Sequence, residues 1–433
     1  MRKYVLFGLL LACKIAWGQG DTLHLEDALR IGLENNFSIR LAKQDIEVAA
    51  NNVTLGNAGF LPIIDATLDR SNSLQNVNQE FITGNIAEQN GAKSNSWVAG
   101  ARLNWTLFDG LAMFTTYDKL REIQTLGEIG AAVVMRDALA QISATYYDLV
   151  QQDQLLRVLR ENLALSVARV NLSRERFEIG AASRREWLLA QVDVNADSSA
   201  LLQQEGLLAR TRTQFNQYLG RDPGTPFEVV QVIDLRPRFA YVTLRDEMLA
   251  QNPEVLQVHQ LRDVALLELK EVQAERMPEV GVTLGYNFTK ATSEAGFLLS
   301  NQISGINYGF SAGVNLFNGF NLSRRIQQAK VQIATRAIET DALKNELHTR
   351  LLDAFLNYEN NFRLLSLERS NVAVSRLNLD IARQTYELGD LSSIEFREAQ
   401  TNHLAAENRL ITALYRVKLN EIELMRLSGR NLE

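Results

Sequence analysis

The chain has 433 residues, of which 46% are hydrophobic and 22% are charged, and its formal net charge at pH 7 is -6. This composition is typical of a folded protein with a sizeable core, and it excludes both a disordered chain and a polytopic membrane protein. The mild negative charge and the lack of a basic block also argue against a nucleic-acid partner.

The first eighteen residues have the pattern of an export signal. Arg2 and Lys3 come first, an apolar run follows over residues 4–12, and residues 16–18 form a cleavage site of the small-x-small type. We therefore expect a signal peptide over residues 1–18 and a mature chain outside the cytoplasm.

The single cysteine, Cys13, lies inside this segment. Residues 10–13 are similar to a bacterial lipobox, so simple cleavage and lipidation of Cys13 both stay open. In either case no disulfide can form within one mature chain. Beyond the signal there is no run of 18 or more apolar residues, so we expect no transmembrane helix, and only a β-barrel could span a membrane.

Residues 23–57 carry apolar residues at helical spacing, and Pro62 ends this predicted helix. Alternating apolar and polar residues then predict one strand over residues 63–69 and another over residues 97–107, with a polar, Asn/Gln-rich loop between them. The predicted apolar face of the second strand holds Trp97, Ala99, Ala101, Leu103, Trp105 and Leu107.

Residues 110–177 contain no proline and predict one helix of roughly 100 Å. Such a length indicates a coiled coil or the wall of a helical tunnel. A second helix is predicted from Ser183 to about Leu219. Residues 220–243 hold three of the six prolines and are predicted to be irregular.

The same order of elements then recurs at an offset of 209. A helix is predicted over residues 244–277, strands over 280–288 and 308–316, and a proline-free helical run to the C-terminus. The apolar heptad residues Leu149, Leu156, Leu163, Val170 and Phe177 correspond to Tyr358, Leu365, Val372, Leu379 and Tyr386. We therefore predict an internal duplication, with repeats over residues 19–220 and 244–433 and an irregular linker over 221–243.

The predicted fold class is mainly α with a small β part. Four strands are too few to close a barrel, and open edges cannot lie in lipid, so several copies would have to pool their strands. Three copies would give twelve strands, an even number in the range of membrane barrels. Two alternatives stay open: a soluble β-layer packed on helices, and an extended coiled coil with a structural role.

Three features together resemble the TolC family of bacterial outer-membrane efflux proteins. They are the signal peptide, the duplicated helix-strand-strand-helix-helix unit, and a turn with the pattern [FY]-E-[IL]-G-x-x-S. This turn occurs at Phe177-Glu178-Ile179-Gly180, followed by Ser183, and at Tyr386-Glu387-Leu388-Gly389, followed by Ser392. The resemblance covers essentially the whole mature chain.

This resemblance implies a homotrimer in the outer membrane with a large periplasmic part. Three chains would share a twelve-stranded β-barrel in outer-membrane lipid, continuous with a long α-helical coiled-coil tunnel. A periplasmic adaptor (membrane fusion) protein and an inner-membrane pump of the RND or ABC type would dock at the tunnel tip. Residues 221–243 would form part of an equatorial belt.

The two turns are the predicted contact site for the adaptor. Gly180 and Gly389 have the position of C-cap glycines, where glycine adopts a left-handed backbone without strain. In the family these turns also meet the adaptor. The expected contact residues are Ile179, Gly180, Ser183, Leu388, Gly389 and Ser392.

Three glutamates near the turns are candidates for a periplasmic gate. Glu186 and Glu395 each follow a serine by three residues, which is the spacing of a capping box. The family implies a second role, in which Glu395 and Glu398 point inward and form carboxylate rings that attract cations. Glu398 has no capping partner and is the stronger gate candidate, although it could also be an ordinary solvated residue.

No enzyme signature is present in the sequence. His24, His259, His348 and His403 lack metal-ligand spacing, and no cofactor is implied. The resemblance favours a passive exit duct for small molecules. The alternatives are an exit duct for polypeptides in type I secretion and a structural coiled-coil surface protein.

Overall fold

The structure, a computed structural model, describes residues 22–296 and 298–431. The expected signal peptide over residues 1–18 and Cys13 lie outside this part of the chain. Eight helices account for most of the described residues: α1 (Leu25–Asn35), α2 (Phe37–Asn52), α3 (Ala112–Glu178), α4 (Arg184–Tyr218), α5 (Tyr241–Gln251), α6 (Pro253–Ala274), α7 (Asn321–Leu388) and α8 (Ser393–Ser428). The strands are β1 (Thr22–Leu23), β2 (Ile63–Glu80), β3 (Ile86–Asp109), β4 (Glu228–Val229), β5 (Glu279–Ser293) and β6 (Ser300–Gly313).

The described chain divides into two compact units. The first contains the residues up to Leu41, Val133–Asn252 and the residues from Glu346 onward, and the second contains Ala42–Ala132 and Pro253–Asn345. Within the part of the chain that the structure describes, none of the helices is long and apolar enough to cross a membrane.

The second unit contains a four-stranded antiparallel sheet in the order β2-β3-β5-β6. Among the described strands, β2 and β6 each pair on one side only. A bulge between Thr106 and Phe108 places Phe108 opposite Val280. Leu107, which was predicted to continue the apolar face, therefore falls in the bulge, where the alternation of faces is interrupted.

The prediction of a long Asn/Gln-rich loop between the first two strands of the sheet is wrong. The polar segment is itself strand: β2 continues to Glu80, and β3 begins at Ile86. The backbone ladder between them needs no apolar side chains, because the main-chain donors and acceptors that face the partner strand are paired whatever side chains the residues carry. A strand predicted from hydropathy alternation therefore stops too early. The last strand differs in the opposite sense, since β6 ends at Gly313 rather than at residue 316.

The helices predicted before each pair of strands are each interrupted by a buried asparagine. The helix predicted over residues 23–57 is two helices with Asn36 between them, and the helix predicted over 244–277 breaks at Asn252. The Nδ2 atom of Asn36 donates to the carbonyl of Tyr218 at 2.7 Å, and Nδ2 of Asn252 donates to the carbonyl of Leu427 at 2.9 Å. These carbonyls lie in the last turns of α4 and α8, where main-chain acceptors lack helical partners.

The linker predicted over residues 221–243 is mostly irregular but includes β4, and its last three residues already belong to α5, which begins at Tyr241. This strand pairs in parallel with β1, with Thr22 opposite Glu228 and Leu23 opposite Val229. Beside it lies the main core cluster of the first unit, which includes Ile142, Tyr146, Leu149, Phe215, Leu219 and Phe227. The linker is therefore packed onto the helices.

Gly220, which follows α4, occupies a site that excludes any side chain. Its φ is +67°, and a Cβ there would lie 2.2 Å from the carbonyl oxygen of Asn35. We expect Gly220→Ala to destabilise the protein by about 3 kcal/mol, because it adds left-handed backbone strain to a clash with main-chain atoms. Thermal unfolding in detergent measures this loss.

Gly206→Ala provides the matched control. Gly206 lies inside α4, and a Cβ there would meet nothing within 4 Å. Because alanine is the better helix former, this variant should gain up to about 1 kcal/mol of stability. Equal melting temperatures for Gly220→Ala and the wild type would contradict the proposed close approach.

Candidate functional site

The two predicted turns connect α3 to α4 and α7 to α8. Gly180 has a φ of +76° and Gly389 a φ of +95°, so both adopt the left-handed conformation expected at a helix C-terminus. The N–H of Gly180 donates to the Phe177 carbonyl at 3.0 Å. Ile179 and Leu388, which precede the glycines, are 78% and 80% exposed. The capping geometry is confirmed, whereas the adaptor-contact role of these residues stays a prediction.

A stacked pair of aromatic rings lies across each turn. Phe177 stacks on Trp187 with ring centroids 5.8 Å apart, and Tyr386 stacks on Phe396 with centroids 5.1 Å apart. Each pair joins the end of one helix to the first turn of the next. These contacts hold the two arms of each helical hairpin together next to its exposed turn.

Arg176 connects the two turns. Its Nη2 atom donates to the carbonyl of Tyr386 at 2.6 Å, and its guanidinium carbon lies 4.8 Å from the centre of the Tyr386 ring. The turns are therefore neighbours, and the residues predicted for adaptor contact are divided between two adjacent surfaces.

The two predicted capping boxes differ. Ser392 and Glu395 form the complete motif, in which the Glu395 carboxylate accepts from the Ser392 N–H at 3.0 Å and from its hydroxyl at 2.7 Å. Hydrogen bonds from the side chain and then the backbone of Ser392 lower the pKa of Glu395. At the first turn Ser183 accepts from the Glu186 N–H at 3.2 Å, but within the described residues the reciprocal bond is absent.

The three gate candidates differ in how strongly their carboxylates are held by neighbouring groups. The Glu395 carboxylate is engaged by its own helix cap. Glu398 is exposed on α8 three residues further on, and Glu186 is half-buried at the start of α4. Glu186 and Glu398 therefore have the less constrained carboxylates. The structure shows no pairing among the three in the described chain, and their gate role stays a prediction.

A cavity of about 400 Å³ lies between the first turns of α4 and α8. Three of the predicted residues, Ser183, Glu186 and Ser392, line it together. Ile179, Gly180, Leu388, Gly389, Glu395 and Glu398 do not. The remaining lining residues include Arg169, Asp193 and Arg397, which sequence reasoning had not singled out.

A buried ionic network lies beside this cavity. Arg397 of α8 donates to both carboxylate oxygens of Asp197 of α4, at 2.8 and 2.9 Å. The Ser166 hydroxyl of α3 donates to the same carboxylate at 2.5 Å. Arg169, only 2% exposed, pairs with Asp193. Three helices are thus connected through charged side chains, of which Arg169 and Asp197 are buried and Asp193 and Arg397 are partly exposed.

The environment of Asp197 favours its charged form. Burial is the largest single influence and opposes ionisation of this carboxyl, but the hydrogen bonds from Arg397 and Ser166 and the positive charges of Arg397 and Arg169 together hold its pKa below the usual value. A network of this kind fixes the relative positions of α3, α4 and α8, because each charge loses its partner if one helix shifts.

The sequence contains one signal that could have identified this network. Under the offset of 209, Asp197 corresponds to Ala406 and Arg397 to Leu188. Both members of the pair therefore stand where the repeats differ in charge. Positions that break a repeat are natural candidates for contacts made between the two halves, but the pattern does not reveal which residue pairs with which.

The fold and site define a class of protein. Two long helical hairpins with paired turns, together with four antiparallel strands that carry one apolar face, are typical of a channel-forming outer-membrane protein. The family model for outer membrane efflux proteins matches residues 29–221 and 244–430. The chain belongs to this family, and its location is the outer membrane with a periplasmic part.

Individual relatives agree with this assignment. The outer membrane efflux protein BepC of Brucella suis is 22% identical over 99% of this chain and 90% of its own. The alkaline protease secretion protein AprF of Pseudomonas aeruginosa is 24% identical over 95% and 85%. The Campylobacter jejuni CmeC outer membrane channel has a similar fold, with a TM-score of 0.76 and 16% identity over 94% of this chain and 85% of CmeC.

These similarities confirm the predicted family and the mainly helical fold class with its small β part. The family and the matched structures are efflux proteins and channels rather than enzymes, which agrees with the expected absence of catalysis.

Proposed function

We propose that this chain is the exit duct of a tripartite efflux system. It would be a non-enzymatic, passive conduit for small molecules driven by an inner-membrane pump of the RND or ABC type through a periplasmic adaptor. The observation that carries this proposal is the sheet: it has an apolar face and, as far as the described strands go, two edges without partner strands, on a chain of the efflux family. Three copies that close one twelve-stranded sheet would satisfy those edges.

A heptad stripe on α7 supports self-association. Leu367, Val374, Ile381 and Leu388 repeat every seven residues, and each is more than half exposed. Four large apolar side chains along one face of a helix form the seam that a coiled-coil partner covers. We propose that a second copy of this chain covers it, within a homotrimer.

The duct is tested by its extraction and mass. Detergent should be needed to release the protein from outer membranes, and the released species should have three times the mass of the mature chain. A species that is released without detergent, or one with the mass of a single chain, would contradict the proposal.

The turns are the proposed adaptor surface. The exposure of Ile179 and Leu388 and the contact between the two turns through Arg176 support this assignment. A partner that inserted between the turns would meet Gly180, Ser183, Gly389 and Ser392 as well.

We also propose a gate formed by Glu398, with Glu186 contributing. In a trimer the Glu398→Ala variant removes three carboxylates, so we expect a higher single-channel conductance in planar bilayers and a cation preference lower by roughly twofold. Glu346→Ala, an exposed glutamate elsewhere on α7, is the control and should change neither. Unchanged conductance and ion preference in Glu398→Ala would remove Glu398 from the gate.

Type I secretion of polypeptides is the second candidate function, because AprF is described as a protease secretion protein. A deletion strain separates the two functions. Greater sensitivity to small toxic molecules indicates efflux, whereas loss of one secreted polypeptide with unchanged sensitivity indicates secretion.

The internal duplication is proposed over residues 19–220 and 244–433, with the belt segment 221–243 between them. Left-handed glycines support it, since they recur at the offset of 209. These pairs are Gly110 and Gly319, Gly180 and Gly389, and Gly220 and Gly429.

A further inference from the structure

One face of the four-stranded sheet is apolar over most of its length. The register places Leu103 beside Leu284 and Leu284 beside Tyr308, and neighbouring rows on this face are of the same kind. The apolar side chains include Leu68, Leu103, Leu284, Phe288, Tyr308 and Phe310. This is the face that lipid would cover under the proposed function.

The row at the hairpin end of this face is different. Trp97 pairs with Arg70 of β2 on one side and with Lys290 of β5 on the other. The guanidinium carbon of Arg70 lies 4.9 Å from the centre of the Trp97 ring, which is a cation–π contact. Trp97 is 40% exposed, and Arg70 and Lys290 are both exposed. Two cations thus flank one tryptophan at the same level.

In the described part of the sheet, no carboxylate on the same face neutralises this pair of cations. Among the described residues of this face between the row of Val280 and the row of Thr292, Arg70 and Lys290 are the only charged ones. The next outward row holds Asn72, Asn95 and Thr292. An acid, Glu294, appears only one row further, where its carboxylate accepts from the backbone N–H of Lys93 at 2.9 Å.

The height of this row above the start of the apolar face matches the thickness of the apolar part of a membrane. From Val280 to Lys290 a strand rises roughly 34 Å at 3.4 Å per residue. A tilt of about 40° reduces this to roughly 26 Å, and the apolar band of outer-membrane sheets is about 25 Å tall. Arg70 and Lys290 therefore lie where acyl chains end and headgroups begin.

We infer that Arg70 and Lys290 bind the phosphate of an anionic lipid headgroup. The guanidinium supplies paired N–H donors suited to phosphate oxygens, the ammonium adds a second positive charge, and stacking on Trp97 holds the guanidinium in place. This inference rests on the proposed membrane placement of the sheet. The ligand is a lipid rather than free phosphate, because the site adjoins an apolar surface that acyl chains would cover.

The test compares Arg70→Gln, Lys290→Gln and the double variant with Arg102→Gln. Arg102 lies in β3, the strand that carries Trp97, but its side chain is on the other face of the sheet, and it pairs with Asp65 of β2. Its substitution removes the same charge from the same sheet. All substituted side chains are exposed, so the variants should fold, and thermal unfolding in detergent verifies this for each.

Native mass spectrometry of the delipidated protein then counts bound lipid during titration with dioleoyl phosphatidic acid. Dioleoyl phosphatidylcholine and inorganic phosphate are titrated separately. The wild type and Arg102→Gln should bind phosphatidic acid equally. Each single variant should bind about 5-fold more weakly and the double variant about 30-fold more weakly. Binding of phosphatidylcholine should be the same in all variants.

Two results would overturn the inference. The first is a double variant that binds phosphatidic acid like the wild type, which would leave Arg70 and Lys290 as simple interfacial anchors. The second is binding of inorganic phosphate to the wild type as tight as the binding of phosphatidic acid. Lipid counting needs no ion current, so missing channels in planar bilayers would contradict the proposed duct and not this site.

Discussion

Replacement of Asp197 by alanine should cost about 3–5 kcal/mol of stability. The change leaves the guanidinium of Arg397 with Asp193 at 3.8 Å as its nearest carboxylate and with the neutral Ser166 hydroxyl at 3.2 Å, and it removes the acceptor of that hydroxyl. A buried cation without its counter-charge is among the most destabilising of single changes. Chemical unfolding followed by circular dichroism measures the loss.

Glu205→Ala is the matched control for Asp197→Ala. Glu205 also lies on α4 and pairs with Arg160 of α3 at 3.1 Å, but both side chains are largely exposed. Its loss should cost less than about 1 kcal/mol, since water screens surface pairs. Similar losses in the two variants would show that the Asp197 network contributes no more than a surface contact.

The same carboxyl should also produce a pH dependence. Because folding lowers the pKa of Asp197, its contribution is present above the unfolded value of about 3.9 and is lost as pH falls through the folded value. The stability of the wild type should therefore decline below about pH 4, and the Asp197→Ala variant should lack that part of the decline.

Val374→Glu should abolish or greatly weaken the trimer. Val374 is 67% exposed in the single chain and lies at the centre of the α7 heptad stripe. A carboxylate buried at each of three equivalent seams costs several kcal/mol per site, because it has no partner there. Analytical ultracentrifugation in detergent should show monomers at concentrations where the wild type is trimeric.

The neighbouring residue provides the control. Ala373 is exposed on the same helix but points about 100° away from the stripe, so Ala373→Glu introduces the same charge outside the seam. This variant should remain trimeric. Dissociation of both variants would indicate a general effect of charge on α7, and an intact Val374→Glu trimer would exclude this face as the interface.

The sequence itself determined the long helices and their turns. The predicted helix over residues 110–177 differs from α3 by two residues at its start and one at its end. Such a helix can be predicted from sequence because its signals are local. Heptad spacing, the absence of proline and a glycine after the last helical residue each act within a few residues. The turn glycines follow from the same local rules.

The sequence pattern predicted the short helices and the polar parts of the strands less well. Asn36 and Asn252 divide helices because each side chain reaches a carbonyl at the end of a distant helix. The polar halves of β2 and β3 are strands because their backbones pair with each other. Both features depend on a partner far along the chain, and hydropathy does not identify that partner.

The residues of the candidate site fall into the same two groups, those set by local sequence and those set by distant partners. The sequence identified Gly180, Gly389 and the Ser392–Glu395 cap, since a turn and a cap require only neighbouring residues. Only the tertiary structure showed that Arg397 meets Asp197, and that Arg70 and Lys290 flank Trp97 in one row. An ion pair between helices, or a row across strands, depends on packing and register that no local pattern specifies.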